Sequence, residues 1–157
     1  FLEQALNSDL GTYGLDHPKV AIRQSNLGHL YKELAYQDKG KKLFEEAHAA
    51  LQNHYGPDHP KVAISSANLA GSYQEEGNYP AAQALLENAL AIDLAHFGPR
   101  HTRTARSYAN LGALLWDMEQ KEAALSHFQT AHGVFKEQLG TDHPHTQVLQ
   151  SWLDSIS

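Results

Sequence analysis

Eleven histidines in 157 residues are the side chains with the clearest capacity for chemistry. Four of them recur in one phrase. It reads GLDHPKV at 14–20, GPDHPKV at 56–62, GPRHTRT at 98–104 and GTDHPHT at 140–146, each starting 42 residues after the last. An imidazole beside a carboxylate could ligate a metal or move a proton, but the spacing speaks against both. His17, His59, His101 and His143 occur once per repeat and so should form a ladder. Packed helices lie about 8–10 Å apart, whereas zinc holds its nitrogens at about 2.0–2.1 Å. His127 and His132 are five apart and off one helical face, and His143 and His145 are too few to close a site. There is no H-E-x-x-H, no G-x-S-x-G and no glycine-rich phosphate loop. Glu45, Glu46, Glu75 and Glu76 fall in helical runs without an evident acid–base partner. These groups are expected to be turn and surface residues. No enzyme, metal or cofactor is expected.

The bulk numbers narrow the classes further. Twelve Lys and Arg against eighteen Asp and Glu give a net charge of −6, and the densest basic stretch, 39–42, is short. Nucleic-acid affinity comes from a basic stripe that displaces counterions, so no nucleic-acid partner is expected. No apolar run approaches a membrane span, and FLEQALNSDL lacks the basic-then-apolar order of a signal peptide, so no membrane partner is expected either. Without cysteine there is no disulfide framework or thiolate zinc site, which suits a cytoplasmic protein. The chain opens on Phe1 inside a helical pattern, as expected of a piece of a longer protein.

The elements that must position these residues are repeats. Aligning 14–55 with 56–97 matches Asn26-Leu27 to Asn68-Leu69, Tyr31 to Tyr73, Leu43 to Leu85, Ala47 to Ala89 and His54 to His96. A third copy at 98–139 keeps Asn110-Leu111, Ala124, Leu125, Phe128 and Ala131. Residues 1–13 read as the second helix of a preceding copy, and 140–157 as the first helix of a following or capping one. The expected organisation is a single array. Each copy is two helices: Val62, Ala63, Leu69, Ala70 and Tyr73 share one face, Gly77-Asn78 interrupts, and Ala82, Leu85, Leu86, Ala89, Leu90 and Ile92 form a second stripe. The class is all-α.

The repeated phrase then has structural work to do. Gly14, Gly56, Gly98 and Gly140 stop one helix. Asp16, Asp58 and Asp142 are expected to cap the next, and Pro18, Pro60 and Pro144 to fix its first turn. Arg100 and Thr102 replace Asp and Pro in the third copy. That cap is expected to be the weakest, with Thr102 standing in.

Asn68-Leu69-Ala70, Tyr73, Gly77-Asn78-Tyr79, Ala82, Leu86 and Ala89 resemble the tetratricopeptide repeat (TPR) family, in the 42-residue form similar to kinesin light chains. The resemblance covers the whole chain. It implies a right-handed α-solenoid of antiparallel helix pairs, in which the first helices line a concave side and hold extended peptides. Several residues depart from the pattern. Ala35 and Gly40 stand where the family prefers Gly and Ala, so an irregular first turn is expected. Glu119 replaces the third turn's glycine, and Trp152 stands in the Asn register of the last helix, where it is expected to shield the end.

On that reading the candidate site lies along the first helices, over 18–35, 60–76 and 102–118. Positions i, i+4, i+7 and i+11 share a face: Ile22, Asn26, His29 and Glu33; Ile64, Asn68, Gly71 and Glu75; Arg106, Asn110, Ala113 and Asp117. Lys32 and Trp116 flank it. A carboxamide both donates and accepts, so an Asn26/Asn68/Asn110 ladder suits a peptide backbone; the alternative, compatible with the first, is that it bonds between neighbouring helices or to water. Discrimination would fall to Ile22, Ile64, Arg106, His29, Lys32 and Trp116. Only the Asn of the family's Lys-and-Asn carboxylate clamp is matched. Glu33, Glu75 and Asp117 suggest a basic or mixed-charge ligand. The expected function is a non-catalytic module binding a protein or peptide segment. A spacer or self-associating element, joined through open ends, is the alternative.

Overall fold

The computed structural model describes residues 2–14 and 17–156. Eight helices occupy them: α1 (Leu2–Tyr13), α2 (Pro18–Glu33), α3 (Gln37–Tyr55), α4 (Pro60–Glu75), α5 (Tyr79–Phe97), α6 (Thr102–Asp117), α7 (Lys121–Leu139) and α8 (Pro144–Ile156). No strand occurs among the described residues. The chain divides into two compact units, residues 1–85 and 86–157, with the division inside α5.

One correction concerns how the first helices begin. The cap is the histidine, not the aspartate before it. His17, His59 and His101 adopt extended backbone at the N-cap, with φ/ψ of −80°/136°, −85°/143° and −94°/145°. Each Nδ1 accepts the N–H two residues on, from Lys19 at 3.2 Å, Lys61 at 3.1 Å and Arg103 at 3.0 Å. His143 accepts from His145 at 3.2 Å in the same way. The reason is register. Proline occupies the first helical position of α2 and α4 and holds the residue before it extended. That residue is His, which leaves Asp58 one position too early; Asp16 lies outside the described residues. The third cap is also no exception, because His101 holds it and Thr102 is already helical.

A second correction concerns the turns between paired helices. The first is not irregular: all three are built alike. Tyr36, Asn78 and Gln120 donate to Tyr31, Tyr73 and Leu115 carbonyls at 2.8, 2.9 and 2.9 Å, and Ala35, Gly77 and Glu119 each donate to Lys32, Gln74 and Trp116 at 3.0 Å. This is the Schellman closure, which needs a left-handed residue. Gly77 supplies it at φ 77°, and Ala35 and Glu119 are forced into it at 64° and 62°.

In the first unit α2 and α3 approach until backbones touch. A Cβ on Gly28 would lie 2.9 Å from Phe44 Cε1, and one on Gly40 would lie 2.9 Å from the Gly28 carbonyl oxygen. Phe44 is 1% exposed as a result. Leu6, Val20 and Leu27, with Leu2, Leu10, Tyr31 and Leu43 against them, seat α1 on α2. In the second unit Gly112 takes Phe128 in the same register, with its Cβ position 2.9 Å from Phe128 Cε1. Thr104 Oγ1 donates to the Gly98 carbonyl at 2.8 Å, and Ser107 Oγ donates to the buried Asp93 carboxylate at 2.7 Å. At the end of this unit Trp152 lies tilted 5.6 Å from Phe128 and edge-on 5.9 Å from Trp116.

Candidate functional site

Residues 42 apart on α2 and α4 occupy equivalent helical positions, so the two helices present matching side chains on either side of a cleft in the first unit. The cleft holds about 420 Å³. Ile22, Asn26 and His29 come from α2, Ile64 and Asn68 from α4, and Leu51 of α3 forms the floor. Ile22 is 52% and Ile64 47% exposed, while Leu51 beneath is 7% exposed. A pair of β-branched side chains left in water above an apolar floor is a surface whose burial a partner could exploit.

The polar groups are arranged differently from the apolar ones. Among the described residues, the Asn26, Asn68 and Asn110 carboxamides have no hydrogen-bond partner. The ladder is therefore not a set of interhelical ties. His29 packs edge-on to Phe44 at 4.9 Å. Partial burial holds its imidazole below the usual range, and Lys32 adds to the effect. Behind the cleft, Ser65 Oγ donates to the Val62 carbonyl at 2.9 Å, so His48 Nδ1, 2.8 Å away, is the donor to that hydroxyl. Burial also keeps the His48 imidazole below its usual range.

Lys32, Glu33 and Glu75 do not line the cleft. Lys32 Nζ meets Glu75 Oε1 at 2.8 Å, and Lys41 similarly meets Glu76 at 2.8 Å. The charged residue in the lining is Lys61, whose Nζ donates to Tyr55 Oη at 3.1 Å. Of the acids behind the expected basic or mixed-charge ligand, Glu75 is thus already paired, and neither it nor Glu33 lines this cleft. Arg106, Asn110, Trp116 and Asp117 belong to α6 in the second unit. Arg106 is exposed and Asn110 half-buried. Trp116 is held by Trp152, with Lys121 Nζ 5.3 Å from the ring centroid. Among the described residues no group of three or more His, Cys, Asp or Glu could hold a metal.

Sequence reasoning did not find Leu51, Lys61 or Ser65. Leu51 sits where the later copies carry Asp93 and Phe135, and that variation inside an otherwise regular helix was the available signal.

The tetratricopeptide-repeat family profile matches residues 35–95 and 64–137. The chain belongs to the tetratricopeptide repeat family. No curated protein matches it. Solved structures do. BtubC (BKLC) from P. vanneervenii is 22% identical with a TM-score of 0.79, covering 89% of this chain and 56% of its own. TPR-like repeats of a Podosopora anserina protein described as a kinesin light chain are 23% identical with a TM-score of 0.78, covering 98% and 73%. The N-terminal domain of stress-induced protein-1 from C. elegans is 15% identical with a TM-score of 0.59, covering 85% and 94%. This TPR chain thus spans about half the length of BtubC, and the likeness at these identities establishes the solenoid fold of paired helices. Repeats of the TPR family mediate protein–protein interaction.

Proposed function

We propose that the α2/α4 cleft docks an extended segment of another protein. The unpartnered Asn26 and Asn68 carboxamides carry this reading. They stand beside two exposed isoleucines, so backbone pairing and an apolar side-chain anchor fall within one cleft. Such an anchor would rest on Leu51 between Ile22 and Ile64. Asn110 and Arg106 on α6 would offer the same pairing group with a cationic neighbour in place of isoleucine.

A peptide library screened against the purified chain tests this. Enriched peptides should carry an aliphatic or aromatic residue. The Ile22→Ser, Ile64→Ser double variant should weaken them at least tenfold, since each fully buried aliphatic side chain contributes roughly 1.5–3 kcal/mol. Asn68→Ala with Asn110→Ala should weaken binding and leave the melting temperature nearly unchanged. Retained affinity with a large drop in melting temperature would make the ladder structural and defeat the proposal.

A further inference from the structure

The recurrent histidines have a property beyond marking where helices start. An imidazole nitrogen accepts a hydrogen bond only while it carries no proton. The Nδ1 caps of α2, α4, α6 and α8 therefore require neutral rings with the proton on Nε2. Serine, asparagine and aspartate are the usual caps, and none of them loses its acceptor near neutrality. Histidine does, because imidazole changes charge between about pH 5 and 8.

We propose that the four histidines are a pH-responsive set of caps, and that acidification opens the first turns of α2, α4, α6 and α8 together. Protonation acts twice at each. It turns the acceptor into a donor aimed at an N–H, and it sets a positive charge on the positive end of the helix dipole.

The surroundings of each ring bear on this. His17 stacks on Tyr13 of α1 at 4.3 Å and faces a second imidazole, His54 of α3, at 6.3 Å. Lys19, on its own helix, reaches the Tyr13 hydroxyl at 3.1 Å. His59 stacks on Tyr55 of α3 at 4.2 Å, with Lys61 bonded to the same tyrosine. His101 stacks on Phe97 of α5 at 4.6 Å, and the Arg103 guanidinium lies 4.9 Å from that ring's centroid. His143 faces His145 of its own helix at 5.1 Å, and His145 rests on Phe135 of α7 at 5.3 Å. Lys19, Lys61 and Arg103 thus sit on the aromatic partners of His17, His59 and His101, and second imidazoles lie near His17 and His143. In the sequence Asp16, Asp58 and Asp142 each stand one residue ahead of a histidine, while Arg100 holds that place before His101. A carboxylate at that place restores no acceptor for the helix N–H.

The four-fold replacement H17N/H59N/H101N/H143N keeps a good cap and removes the titration. His29 and His48 remain in both proteins, so their own acid response cancels in the comparison. Nitrogen-15 spectra of the parent at pH 7.5 should show Nδ1 unprotonated at all four positions. Amide-exchange protection at Lys19, Lys61, Arg103 and His145 should fall roughly fivefold between pH 7.5 and 5.5, the equivalent of a cap worth about 1 kcal/mol. The replaced protein should hold its protection. If it does not fold, H101N alone gives the same comparison at the Arg103 amide. Nδ1 protonated at pH 7.5, protection unchanged by acid in the parent, or an equal loss in the asparagine variant would each overturn the proposal.

Discussion

Ala35 and Glu119 hold the left-handed backbone that Gly77 adopts freely, and the three turns are otherwise the same. A Cβ in this region is unfavourable, so the two residues tie strain to a turn that the packed helix pairs impose. Ala35→Gly and Glu119→Gly are each expected to raise stability by about 0.5–1 kcal/mol, measured as a shift in denaturation midpoint with unchanged slope. A loss at either position would mean the turn is not held as described. His48 shows a second residue-level effect. Its ring is buried neutral against Ser65, so the unfolded chain takes up the proton first as pH falls. Stability should therefore be full above about pH 7 and decline as pH drops through the ordinary imidazole range near 6.5. A ring held neutral by burial makes acid favour the unfolded state.

For the elements, the decisive contacts are those where glycine lets two helices meet. Gly28 against Phe44 and Gly112 against Phe128 leave no room for a methyl group. Gly112→Val is expected to cost about 1–3 kcal/mol through overpacking, and Phe44→Ala about 3–5 kcal/mol through the cavity it leaves. Thermal unfolding of both variants checks this, and a neutral Gly112→Val would show that the α6/α7 pair can slide apart without loss. The site depends on the same elements. Ile22 and Ile64 flank one cleft because α2 and α4 start in the same register, with proline at the first position of each. The Lys32–Glu75 pair is partly exposed, at 25% and 45%, and such pairs contribute little to stability. Its consequence is electrostatic: it neutralises a charge that the helix-face pattern had assigned to the ligand.

Across the whole molecule, repeat proteins are stabilised by contacts between successive elements rather than around one centre, and the described chain forms two compact units. The alternative to peptide docking, self-association through the ends, belongs to this scale. Val148 is 57% and Trp152 40% exposed on α8. Static light scattering over a wide concentration range should nevertheless give the mass of one chain, since Trp152 already rests on Trp116 and Phe128. A mass that rises with concentration would favour the spacer reading.

Helix number and the family could be read from the sequence, because a 42-residue period and a 3.6-residue stripe are one-dimensional signals. The cap is legible there as well, from position rather than from residue type. Proline fixes where a helix begins, and the residue before it, here His17 or His59, is the one that can reach the first free N–H. Other features needed the tertiary structure. Leu51 becomes the floor of a cleft, Glu75 is paired and Asn68 is not, because each outcome depends on which side chains helices from different repeats bring within hydrogen-bonding or packing distance. Distances between side chains on separate helices are set by packing angle and side-chain volume, and a sequence period carries neither.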